Sequence, residues 1–70
     1  MRAQLLIRDA PHYRSDAFRS GLRAAGLQVV SAIGDPRPGD VLVCWNRYGT
    51  AELLAERFEK AGGRVLVCEN

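Results

Sequence analysis

Zinc-finger cysteine spacing, long apolar runs and phosphate-loop glycine motifs are all missing from this sequence. Cys44 and Cys68 are the two cysteines in 70 residues. They are too few for a disulfide scaffold and lack the spacing of a metal finger. Free thiols are therefore expected, and with them a cytoplasmic location. No apolar run approaches the roughly 20 residues that cross a bilayer, so no membrane association is expected. Met1–Ile7 holds one arginine and a short apolar stretch, without the long apolar region and cleavage site of a secretory leader. Neither Gly-x-x-x-x-Gly-Lys nor Gly-x-Gly-x-x-Gly occurs, which argues against a standard ATPase or dinucleotide site. No cofactor and no metal are expected. The basic excess is small, with a formal charge of +2. Nucleic-acid-binding domains of this size carry a denser basic stripe, so nucleic acid is not an expected partner.

The chain does contain enough apolar residues to fold. It is 47% hydrophobic and 26% charged, which sets it apart from disordered and low-complexity segments. The length allows one domain, residues 1–70, and a domain of this size buries only about 60% of its unfolded surface. The first strand is expected at Ala3–Arg8, centred on Leu5-Leu6-Ile7. After Pro11 a helix is expected from Arg14 to Ala25, capped by Ser15 or Asp16, with Phe18, Leu22 and Ala25 on one face. Gly26 sits where a left-handed residue closes a helix. A second strand follows at Leu27–Ala32. After the Gly34–Gly39 loop comes a strand at Asp40–Trp45. A helix is then expected at Thr50–Ala61, with Leu54, Phe58 and Ala61 inward, and a last strand at Arg64–Cys68.

The pattern is two strand–helix–strand units, residues 3–32 and 40–69. They align without a gap when Leu6 is laid on Leu42: Ala25 then meets Ala61, Gly26 meets Gly62 and Val29 meets Val65. Any two such units share this patterning, so it supports repeated architecture more than duplication. Each unit should be right-handed with parallel strands. The favoured fold is α/β, a four-stranded, mostly parallel sheet of order 2-1-3-4 with one helix on each face. The continuous apolar strands support it. A hairpin pairing strands two and three antiparallel is the alternative, because crossovers normally need a dozen residues or more. Two helices leave half of each sheet face without a cover. Loops, a second copy of the chain, another protein, or further elements of a larger fold would fill it.

In the parallel arrangement, strands one and three end at a topological switch point, where open α/β sheets bind ligands. Two segments meet there, Arg8–Arg14 and Cys44–Thr50. The second is the most distinctive in the chain. Asn46, Arg47, Tyr48, Gly49 and Thr50, with Asp9 from the first segment, are the candidate ligand-binding residues. A helix start attracts anions, Arg47 can clamp phosphate or carboxylate, and Trp45 or Tyr48 can stack on a ring. The competing reading is an ordinary strand-to-helix turn, with Gly49 turning and Thr50 capping. His12, the single histidine, sketches an acid–base or nucleophilic group with Asp9 and Cys44. A lone histidine after a proline more often reads as an exposed loop residue. Asp9 and Glu69 both follow strands, where carboxylates are commonly solvated. Cys44 and Cys68 read as small buried hydrophobes. No catalytic residue is assigned.

The stretches Gly39-Asp40-Val41-Leu42-Val43-Cys44-Trp45-Asn46-Arg47-Tyr48-Gly49 and Ala61-Gly62-Gly63-Arg64-Val65-Leu66-Val67 resemble the amino-terminal part of a Rossmann-like glycosyltransferase domain of the two-domain type. The resemblance implies a sugar-bearing acceptor at the strand-end loops. It also implies a nucleotide-sugar donor held mainly by a second domain, so no activity is expected of this chain alone. The expected function is binding of an anionic, nucleotide or sugar-bearing ligand at the switch point. A non-catalytic interaction or oligomerisation module is the alternative.

Overall fold

The computed structural model describes residues 1–7 and 14–68. Aliphatic runs form the strands, and glycines close both helices. The elements are β1 (Arg2–Leu6), α1 (Ser15–Ala24), β2 (Gln28–Val30), β3 (Val41–Cys44), α2 (Thr50–Lys60) and β4 (Arg64–Val67). They build one four-stranded sheet of order β2-β1-β3-β4. All three pairings are parallel, with Gln4 beside Val30 and Leu42, and Val43 beside Leu66. The expected α/β fold of order 2-1-3-4 is the observed one, and the antiparallel hairpin between strands two and three does not form. β2 is shorter than expected because its pairing covers only Arg2–Gln4 of β1.

Side chains alternate across a strand, so the sheet divides its apolar residues between two faces. Ala3, Val41 and Val43 pack with Leu5, Leu22, Leu27 and Cys68 on the α1 face. Leu42, Ala55, Phe58 and Ile33 pack with Val30, Leu54 and Val65 on the α2 face. β3, the central element, is buried along its whole length. Phe58 is fully buried, a burial worth about 1.5–3 kcal/mol.

The helix ends repeat one device. Leu27 N–H donates to the Leu22 carbonyl at 3.0 Å, and Gly63 N–H donates to that of Phe58 at 2.8 Å. Gly26 and Gly62 carry the positive φ, 87° and 85°, that this closure requires. The aligned Ala-Gly pairs are therefore matching helix stops. The helix starts differ from expectation. The cap positions are Arg14 and Gly49, and among the described residues no side chain caps either helix. Ser15 and Thr50 are each the first helical residue, and Ser15 is buried beneath the helix start. Ala25, expected on the packed face, is exposed at the end of α1.

Residues 31–40 make the crossover that allows parallel pairing. They cross the α2 face of β1 without a helix, because side chains anchor them along the way. The Gln4 Oε1 accepts from the Ile33 N–H at 3.0 Å in a buried bond. Arg57 reaches from α2 to the Gly34 carbonyl at 3.1 Å. At the far end, Asp40 accepts from Arg2 Nη2 at 2.6 Å and from Arg37 N–H at 2.7 Å. This web, chiefly the Arg2 contact and then the Arg37 amide, holds the Asp40 carboxyl below its ordinary value. The result places β3 against β1 and creates the switch point.

Candidate functional site

Parallel strands bring the carboxyl ends of β1 and β3 side by side, with Leu6 paired to Cys44. A crevice of about 620 Å³ opens there, between the end of β1 and the loop that follows β3. Leu5, Leu6 and Ile7 form one wall. Trp45, Asn46 and Tyr48 from the loop after β3, with Thr50 and Ala51 from the start of α2, form the other.

Gly49 governs how this loop turns into α2. Its φ of 57° and ψ of −125° lie in a region that residues with a Cβ avoid. The turn is closed by Ala51 N–H donating to the Tyr48 carbonyl at 3.1 Å, and Leu53 N–H donating to that of Gly49 at 3.3 Å. Among the described residues no side chain caps α2, and Thr50 and Ala51 of its first turn, where the helix carries its partial positive charge, line the crevice. Tyr48 is 71% exposed, which leaves an aromatic ring in solvent beside the polar groups of Asn46 and Thr50.

The structure therefore brings together Asn46, Tyr48 and Thr50 from the expected set, with Gly49 as the hinge between them. Arg47 is placed elsewhere. Its Nε and Nη2 donate to both Glu52 oxygens at 2.8 and 2.9 Å. Its Nη1 and Nη2 donate to both Glu59 oxygens, each at 3.0 Å. These carboxylates, Glu59 foremost and then Glu52, stabilise the charged guanidinium further, and Arg47 in turn lowers the Glu59 pKa. The arginine lies along α2 as a clamp, with its charge already matched. Asp9, His12 and Glu69 lie outside the described residues. Leu5–Ile7 and Ala51 were not singled out from the sequence, although the apolar end of β1 at a switch point was a sufficient signal for its wall.

The cysteines act as packing residues. Cys44 is fully buried, at an α2-facing position of β3, whereas Cys68 packs into the α1-side cluster. Their backbones touch, with Cys68 N–H donating to the Cys44 carbonyl at 2.8 Å, while the thiols stay free. Burial pushes both thiol pKa values up, which disfavours the nucleophilic thiolate. Among the described residues, no group of three His, Cys, Asp or Glu side chains could hold a metal ion. No helix among them is long and apolar enough to cross a membrane.

Comparison with protein-family models, with curated proteins and with solved structures finds no match to this chain.

Proposed function

We propose that this chain is a ligand-binding α/β domain that takes a sugar-bearing small molecule at the switch-point crevice. The observation that carries the reading is the convergence of Asn46, Tyr48 and Thr50 on one crevice between the ends of β1 and β3. Open α/β sheets bind ligands at this place. An exposed tyrosine offers a flat apolar face with a polar tip, which suits a sugar or base ring. Asn46 supplies a donor and an acceptor, and Thr50 a hydroxyl, for ring hydroxyls. A phosphate on the ligand would meet the start of α2. Arg47 is not available to it without breaking four hydrogen bonds to Glu52 and Glu59. Sugar hydroxyls and ring stacking, more than charge, set the selectivity. The free thiols fit a reducing compartment such as the cytoplasm.

The test is a titration of isotope-labelled protein with a monosaccharide, a nucleoside, a nucleotide sugar and inorganic phosphate. Amide shifts confined to Leu5–Ile7 and Trp45–Ala51 are expected with the sugar-bearing compounds, and weaker ones with phosphate. Tyr48→Ala should reduce the affinity for them. Trp45 is the single tryptophan, so its emission gives a second readout. An unchanged spectrum with every sugar-bearing compound at millimolar concentration would refute the reading.

A further inference from the structure

The two edges of the sheet differ. β2 is three residues long. β4 is four residues long, Arg-Val-Leu-Val, with Leu66 and Val67 48% and 46% exposed. Hydrogen-bond parity fixes which groups of β4 face outward. Arg64 N–H donates to the Asp40 carbonyl and Cys68 N–H to that of Cys44, both at 2.8 Å. In a parallel ladder, a residue directs its N–H and its C=O to the same side, and neighbours alternate. Arg64, Leu66 and Cys68 therefore face β3, while Val65 and Val67 present their amides and carbonyls at the open edge. Among the described residues, β4 carries no proline and has one charged side chain, Arg64. These are the features of an edge that pairs with another strand.

We infer that this edge pairs with β4 of a second copy of the chain, antiparallel about a two-fold axis through Leu66, giving a continuous eight-stranded sheet. The parity admits this register. Val65 of each copy lies opposite Val67 of the other, and in an antiparallel ladder such outward-facing residues exchange both bonds. Two such pairs share four hydrogen bonds. Leu66 lies opposite its own equivalent in a closely spaced, non-hydrogen-bonded pair, so the two exposed leucines cover each other on the α1 face. Val65 and Val67 do the same on the α2 face.

Charge selects the same arrangement. Antiparallel pairing sets the two Arg64 side chains four residues apart along the ladder, roughly 13 Å at about 3.3 Å per residue. In-register parallel pairing would set them side by side, within about 5 Å. The flank of α2 above β4 is compatible with a second copy. Arg57 points to the crossover loop on one side of α2, so Glu52 and Glu59, on the opposite side by helical phase, overlook the edge. Arg47 already pairs with both of them, so facing flanks meet with their acidic charge partly neutralised. The switch-point crevice, between β1 and β3, remains open in this dimer.

Sedimentation equilibrium and disulfide trapping test the arrangement together. The wild-type chain should move from its 7.7 kDa monomer mass toward twice that value as its concentration rises to millimolar. Leu66→Arg sets two cations opposite each other on the axis and should leave a folded monomer, with an unchanged far-ultraviolet spectrum. Leu66→Cys with Cys68→Ser should form a covalent dimer under mild oxidation, because the facing α-carbons, about 4.5 Å apart, suit a disulfide. Val65→Cys in the same background should not link to itself, since it faces Val67. A wild-type monomer throughout the concentration range overturns the inference. So does a dimer that survives Leu66→Arg, or one that Val65→Cys traps as readily as Leu66→Cys.

Discussion

Gln4 decides whether the crossover loop holds its course, and Gln4→Met isolates that role. Gln4 is 9% exposed and Ile33 is 5% exposed, so water does not readily replace the 3.0 Å bond between them. Methionine keeps the unbranched shape and approximate volume while removing the acceptor. The Ile33 N–H is then buried without its partner, at a cost of about 1–3 kcal/mol. A chain of this length has a stability of about 4–10 kcal/mol, so the loss is a sizeable share of the total. It corresponds to a melting temperature lower by about 5–20 °C. Urea unfolding followed by Trp45 emission and by far-ultraviolet dichroism should show an earlier midpoint with an unchanged slope. Native-state hydrogen exchange should speed up at Ile33 more than at Leu42, because the loop loosens before the central strand does. If Gln4→Met stays within about 0.3 kcal/mol of the wild type, the buried bond does not carry the energy ascribed to a lost partner. The anchoring argument then fails.

Three further substitutions probe the crossover and its far end. A Cβ at Gly63 would lie 2.6 Å from the Asp40 carbonyl oxygen and 3.0 Å from that of Phe58. Gly63→Ala should therefore cost about 1–3 kcal/mol in urea unfolding, whereas Gly34→Ala, with nothing within 4 Å, should stay within about 0.5 kcal/mol. Arg2 and the Arg37 amide lower the Asp40 pKa from its ordinary 3.8, so the native state favours the carboxylate. The stability this contributes is complete above the unfolded-state pKa and is lost as pH falls through the folded one. Asp40→Asn should accordingly destabilise the protein near neutrality and narrow its gap to wild type in acid. A gap that does not change with pH would contradict the lowered pKa.

The strand and helix order was legible because each apolar run is short and bounded by glycine, proline or polar residues. The helix stops were legible from Gly26 and Gly62, whose position after an amphipathic run has one common use. The crossover was the favoured reading, from the continuous apolar strands, although its length alone kept a hairpin open, since a crossover usually holds a helix. What allows a short one is a polar residue inside an apolar strand: Gln4 supplies the loop with the acceptor that a helix would have supplied internally. A glutamine between Ala3 and Leu5 was visible in the sequence, but its partner 29 residues away was not, because spacing carries no information about which backbone amide lies opposite. The helix caps were missed for a related reason. Ser15 and Thr50 have the chemistry of caps, yet one is buried at the helix start and the other follows a glycine whose backbone makes the turn.

Arg47 shows how a residue at the expected place in the chain can make contacts that its sequence position did not suggest. Its place between a buried strand and a helix start suggested an anion clamp, and the switch point did form beside it. Glu52 and Glu59 lie seven residues apart on α2, which puts them on one helical face two turns apart. An arginine just before the helix can fold down along that face and bind both. Its guanidinium makes four hydrogen bonds there, and the three formal charges sum to one negative. An incoming phosphate would have to displace carboxylates of its own sign to win the arginine. The attraction left at the crevice is the partial charge at the start of α2, roughly half a unit, too little to select a charged ligand over a neutral one with good hydrogen bonds. On the function proposed above, selectivity therefore rests on Tyr48, Asn46 and Thr50, which line the opening and suit rings and hydroxyls.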